Sequence, residues 1–105
     1  MPRLTRPTAL VLWSLSRGTR HGFDILDATG LASGTVYPIL RRLEDAGCVR
    51  SHWEPAERAR AESRPPRRYY ELTGAGALAV RDALERHPDA AAALHPAGLS
   101  HPRPA

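Results

Sequence analysis

The sequence predicts an α+β fold that is mainly helical, and three observations carry that reading. Up to Gly47, apolar residues recur at helical spacing in three successive segments. Two short runs then alternate in the manner of strands, around residues 49–54 and 67–72. A last segment opens at Thr73 and returns to helical spacing. At 105 residues the chain has the length of one domain with a modest core.

Each element follows from its own pattern. The first helix is expected from about Thr8 to Arg17, because Thr8, Val11, Leu12 and Leu15 form one stripe. Leu10 and Trp13 add a second apolar edge, so this helix needs cover on two sides, from the core or from a partner subunit. Gly18 closes it. Phe23, Ile25 and Leu26 make a short second helix that ends at Gly30, and Ser33 is expected to cap the third. In the third helix Val36, Ile39, Leu40 and Leu43 face inward, while Thr35, Tyr37, Pro38, Arg41, Arg42 and Asp45 lie opposite.

Pro38 stands five positions past that cap. It removes one helical hydrogen bond and is expected to leave the opening turn distorted or 3₁₀, with Gly34 allowing close approach to the backbone. The strands are joined by residues 55–66, a long polar connection read as a loop. In the final helix Ala77, Val80 and Leu84 form a weak stripe, and Pro88 interrupts it near His87, with one more short piece expected in residues 88–95. The opening seven residues read as a loose arm, and residues 95–105, rich in proline and without apolar period, as a disordered tail.

Charge is distributed unevenly. All 15 basic residues are arginine, a bias that a GC-rich genome also produces. Residues 58–68 hold five arginines (Arg58, Arg60, Arg64, Arg67, Arg68) against Glu62 alone, a local net of +4 that equals the net charge of the whole chain. Positive potential gathered in one segment points to a polyanion partner. The single cysteine, Cys48, excludes an internal disulfide and reads as a small hydrophobe. The five histidines and this cysteine lack ligand spacing, so no metal or other cofactor is expected. No nucleophile–base constellation or phosphate loop is present, and no enzyme activity is expected. ALVLWSL is too short for a signal peptide or a membrane span, which places the chain in the cytoplasm, at the nucleoid, with no membrane partner.

Three helices followed by a hairpin with a basic loop is the order of a winged helix-turn-helix, with a C-terminal dimerisation helix appended. The third helix has the size to enter a major groove, with its N-terminal residues at base edges. The amides of its first turn and the hydroxyls of Ser33, Thr35 and Tyr37 suit phosphate, and Pro38 offers a rigid apolar surface beside Tyr37. The segments HGFDIL (21–26), LASGTVYPILRRLEDAGCV (31–49) and RPPRRYYELTGAG (64–76) resemble the PadR family of bacterial transcriptional regulators. The resemblance implies a homodimer that represses genes, in many members released by a small aromatic or planar ligand. It places phosphate and groove contacts on Ser33, Thr35, Tyr37 and Arg41, and wing contacts on Arg64, Arg67 and Arg68. Two departures stand out: Ser63 occupies the place of a usual wing glycine, and the C-terminal helix is short and cut by Pro88.

The domain reading is therefore an arm at 1–7, the winged domain at 8–73, the dimerisation helix at 74–94 and the tail at 95–105. Expected DNA contacts are Ser33, Gly34, Thr35, Tyr37, Pro38, Arg41, Arg42, Arg64, Arg67 and Arg68. Leu10, Trp13, Val80 and Leu84 are expected at a dimer interface or effector pocket. The expected partners are double-stranded DNA, a second copy of the chain and a small planar or aromatic effector. The alternative is a winged-helix module that docks on another protein without specific DNA binding.

Overall fold

The computed structural model describes residues 3–94, so the expected tail at 95–105 lies outside the described residues. Helix α1 (Arg6–Ser16) is followed by α2 (Gly22–Thr29), α3 (Ser33–Asp45), strand β1 (Val49–Trp53), α4 (Ala56–Ala61), β2 (Arg68–Leu72), α5 (Gly74–Arg86) and α6 (Ala90–Ala93). The winged helix-turn-helix is thus present: α2 and α3 form the helix pair, and β1 and β2 the wing. Its sheet is a two-stranded antiparallel ladder from Val49↔Leu72 to Trp53↔Arg68.

α1 starts two residues earlier than its apolar stripe suggests, and the arm is not loose over residues 3–7. Thr5 is the N-cap, its hydroxyl accepting from the Thr8 amide at 3.3 Å. Leu4 is buried in the core, its carbonyl sits 2.7 Å from His87 Nε2, and Arg6 Nε donates to Asp89 at 2.7 Å. Burying one leucine and tying two backbone ends together overrides the local composition that reads as an arm.

α1 is covered within a single chain. It packs against α2, α3, α5, α6 and β2, and Leu10, Val11, Leu12 and Leu15 all join the core with Ile25, Val36, Ile39, Leu40, Leu43 and Val80. Leu10 and Val80 are therefore core residues rather than surface available to a partner, because α5 closes over α1 from the same chain. Leu84 is half-buried against that core. Trp13 lies at its edge, its indole N–H donating to the Ala91 carbonyl at 3.2 Å and Arg17 lying over its ring.

The inner face of α5 is Gly76, Ala79, Val80 and Ala83; Ala77, which the sequence puts on one stripe with Val80 and Leu84, is exposed. Small residues let α5 lie close to α1 and to the base of the wing. Gly76 marks the closest approach, since a Cβ there would collide with the Cys48 carbonyl and meet Leu72 Cδ2 at 3.0 Å. That carbonyl is pinned by the Thr73 amide at 3.0 Å, so it has little room to retreat. Thr73 caps α5 as expected, accepting from the Gly76 amide at 3.1 Å and donating to the Gly47 carbonyl at 2.6 Å. Cys48 is buried and unpaired, as its reading as a small hydrophobe requires.

Gly76→Ala should lower unfolding free energy by about 1–3 kcal/mol, the usual cost of overpacking. Urea denaturation followed by circular dichroism checks this; an unchanged midpoint would show that the α5–β1 contact yields easily.

Candidate nucleic-acid interface

α3 presents its polar side as designed by its sequence. Val36, Ile39, Leu40 and Leu43 are buried, while Ser33, Gly34, Tyr37, Pro38, Arg41 and Arg42 are exposed and Thr35 is half-exposed. Two local expectations are corrected. The N-cap is Ala32, which offers no side-chain acceptor, and Ser33 is already the first helical residue. The helix also runs unbroken through Pro38, with only a 3₁₀-type bond from the Thr35 amide to the Ala32 carbonyl (2.9 Å) beside the ordinary one from Val36. Pro38 is tolerated because its missing donor falls at the exposed side of an early turn. An uncapped first turn leaves amide groups at Ser33 and Gly34 without intrahelical acceptors by position.

Tyr37 is 41% exposed, yet its place is set by the neighbouring helix. Its ring lies over Gly22, the first residue of α2, where a Cβ would collide with the tyrosine hydroxyl and ring edge. Gly22 is thus a positioning residue that sequence reading missed; the glycine following His21 was the available signal.

The wing connection is not a bare loop. Residues 56–61 form α4, with Ala59 buried and Arg58 and Arg60 exposed. Ser63 follows with φ +55°, the left-handed region in which a glycine fits more easily. The wing's geometry is fixed by Glu54, whose side chain is only 1% exposed. Arg64 grips it with both terminal nitrogens (2.6 and 2.9 Å), the Arg67 amide donates to it at 3.2 Å and the Tyr69 hydroxyl at 3.3 Å. The Arg64 hydrogen bonds, opposed by burial and aided by the Arg67 amide, hold the Glu54 carboxyl down at about 2. The same pairing pushes Arg64 above its ordinary value, and Arg64 also reaches Glu62 at 3.1 Å.

Arg64 is therefore committed inside the wing rather than presented outward, because it neutralises a buried carboxylate. Arg68 is partly committed as well: it donates to Ser51 Oγ at 3.1 and 2.7 Å, approaches Glu44 at 3.7 Å and lies over the Trp53 ring. Tyr69 and Tyr70 pack, as expected, rather than stand free.

α2 is tied to the wing by backbone. The Tyr70 amide donates to the Arg20 carbonyl at 2.7 Å, and His21 bridges Tyr69. Burial holds the His21 imidazole below its ordinary value, with Asp24 opposing and Arg67 and Arg64 adding to the effect. This contact brings the start of α2, the start of α3 and the wing together around one cleft of about 380 Å³. Tyr37, Arg67 and Arg68 line it along with Phe23, Trp53 and Pro65. Phe23, one of the three apolar residues that mark α2 in the sequence, is 72% exposed, and Trp53 is 61% exposed. Neither was singled out by spacing, since an aromatic on a short amphipathic segment reads as core.

A basic, partly capless helix beside an arginine-bearing wing defines a winged-helix DNA-binding regulator as the class of protein. Residues 11–82 match the Transcriptional regulator PadR-like family, and the chain belongs to that family. Its members are DNA-binding transcription regulators, not enzymes. The fold is similar to that of a PadR-like transcription factor from Bacteroides fragilis, at 23% identity and TM-score 0.63, covering 78% of this chain and 80% of that one. It is also similar to a Streptococcus transcriptional regulator, at 22% identity and TM-score 0.61, covering 85% and 90%. A Streptococcus mutans protein is 24% identical with TM-score 0.61, covering 83% and 82%. Among curated proteins none matches the chain. No helix among the described residues is long and apolar enough to cross a membrane.

Two outcomes test this geometry. Gly22→Ala should displace the Tyr37 ring, seen as shifted tyrosine resonances by NMR, with thermal stability changed little because a side-chain end can move aside. The Glu54 contribution, from a carboxyl held below its ordinary 4.5, is complete above that value and is lost as pH falls through about 2. Hydrogen exchange over residues 55–67 should therefore rise in acid before the helical core opens, and Glu54→Gln should raise it already at neutral pH.

Proposed function

We propose that the protein is a homodimeric repressor that reads an inverted repeat and is released by a small aromatic ligand. The observation that carries the DNA-reading part is one continuous surface. Tyr37 of α3 and Arg67 of the wing border the same cleft, and the exposed polar side of α3 continues from it. In this reading α3 enters the major groove. Ser33, Gly34, Thr35 and Tyr37 hold a phosphate at its uncapped end, Pro38 abuts a sugar or thymine methyl, and Arg41 and Arg42 reach base edges. Arg67 meets the backbone from the wing, joined by Arg58 and Arg60, which α4 presents outward. Arg64 and Arg68 shape the wing from within and contribute field rather than direct contact.

A two-fold dimer places its half-sites about 34 Å apart, one helical turn, or a multiple of that spacing. Leu78 supports the dimer: it is 59% exposed on α5, in a helix otherwise spent on covering α1. The dimer surface is assigned to this outer side of α5 and the half-buried Leu84, since Leu10 and Val80 are already enclosed.

Fluorescence anisotropy on the gene's own upstream DNA and on a scrambled duplex, across salt concentrations, tests the reading. A preference of at least about 10³ with a steep salt slope supports it; equal, weak binding to both duplexes favours a protein-docking module or a distant operator. Arg41→Ala should cost roughly 1–3 kcal/mol of discrimination, whereas Arg67→Ala should weaken both duplexes alike and reduce the salt slope by about one.

A further inference from the structure

The tip of the wing carries a hydroxyl in a distinctive setting. Ser63 is exposed and directly follows the Glu62 cap of α4. Among the described residues it is the one non-glycine with a positive φ, +55°. Its amide donates to the Arg60 carbonyl at 3.0 Å and the Arg64 amide to the Ala59 carbonyl at 3.1 Å, a tight turn that leaves residue 63 at the surface. No hydrogen bond among the described residues engages its hydroxyl.

Charge singles this hydroxyl out. Arg60 and Arg58 stand three and five positions before it, both exposed on α4 and outside any ion pair among the described residues. Of the twelve serines and threonines in the chain, Ser63 alone has an arginine three positions upstream. Protein kinases discriminate between hydroxyls by the charges that flank them, and a kinase whose peptide cleft is lined by carboxylates would select this one over the other eleven. The segment can also yield to such a cleft. Residues 62–67 lie outside helix and strand, and extending them relieves a left-handed turn that a serine holds at a cost.

We propose that Ser63 is a phosphorylation site for a serine/threonine kinase with an acidic peptide cleft. Ser63 Oγ attacks the γ-phosphorus of ATP, the bond from that phosphorus to the bridging oxygen breaks, ADP departs and the hydroxyl proton passes to the kinase's base. The product brings a charge of about −1.5 to −2 to the wing. Set against the net +4 of residues 58–68, it cancels up to half of the local positive charge. Its oxygens draw on Arg58 and Arg60, and compete with Glu62 for Arg64, now 3.1 Å apart. Phosphorylation therefore weakens duplex binding through the wing and leaves α3 as it is. This consequence rests on the DNA-binding reading; the site itself does not.

The test incubates the full chain with magnesium ATP and a kinase that requires upstream arginine, and maps the product by tandem mass spectrometry. One phosphoryl group, on Ser63, is expected. Ser63→Gly should take up none and keep its fold, since glycine accepts the left-handed turn, as circular dichroism verifies. Arg60→Ala should slow incorporation at least about tenfold, and a kinase that prefers acidic flanks should be slower on the parent by a similar factor. No incorporation, incorporation retained by Ser63→Gly, or an equal rate in Arg60→Ala would overturn the site. In a second arm, duplex binding is followed by anisotropy across salt concentrations. The phosphorylated chain should bind at least about tenfold more weakly at low salt, with a salt slope smaller by about one to two, and the gap should close as salt rises. Ser63→Asp should move affinity in the same direction, while Ser63→Gly should match the parent. Unchanged affinity after phosphorylation would reject the effect on DNA binding. Failure of the unmodified parent to bind any duplex would reject the DNA reading, while the mass spectra still decide the site.

Discussion

Helix α1 buries seven of its eleven residues, Thr8 to Leu12 together with Ser14 and Leu15, and so has almost no polar face of its own. Such a helix is stable only when other elements remove it from water. α2, α3, α5, α6 and β2 all pack against it. The remaining geometry follows from that demand. α3 must turn Val36, Ile39, Leu40 and Leu43 toward α1, which leaves Tyr37, Pro38, Arg41 and Arg42 outward without any further choice. α5 must approach closely, which selects Gly76, Ala79 and Ala83 along its inner face.

The wing depends on a different interaction. Ala59 is the buried residue of α4, and the wing's shape is held by the enclosed Glu54 carboxylate and the groups that satisfy it. A buried ion pair is weak evidence for stability in itself, but its hydrogen bonds are directional. Arg64, the Arg67 amide and the Tyr69 hydroxyl meet Glu54 from three places along the chain, so they define where the wing stands. The cost is that Arg64 is withdrawn from the basic segment whose net charge of +4 drew attention to the wing. Positive potential remains there, yet fewer of its guanidinium groups are available for contact than composition alone implies.

The two halves of the candidate site differ in how far they could be read. The polar side of α3 was legible because helical spacing assigns every residue to a face, and the buried stripe confirms the assignment. The wing side was not. Arg64, Arg67 and Arg68 are equivalent in sequence, all arginines in one polar stretch. They separate only when Glu54 and the Ser51–Glu44 pair select two of them as partners. Phe23 and Trp53 were passed over as site residues for a related reason. On a short helix or strand the apolar residues do not fix which face is inward until the neighbouring element is in place.

By itself the sequence determined the element order, the inward stripe of α3, the Thr73 cap and the family to which the chain belongs. These rest on local spacing, local capping chemistry and motif order, all of which survive without knowledge of distant contacts. Tertiary structure alone decided that α1 is enclosed within one chain, that the first residues are anchored by Leu4 and Arg6, and that α4 forms inside the wing. It alone brought Gly22 beneath Tyr37 and assembled the aromatic cleft, because those arrangements join residues far apart in sequence whose approach depends on packing rather than on any local pattern.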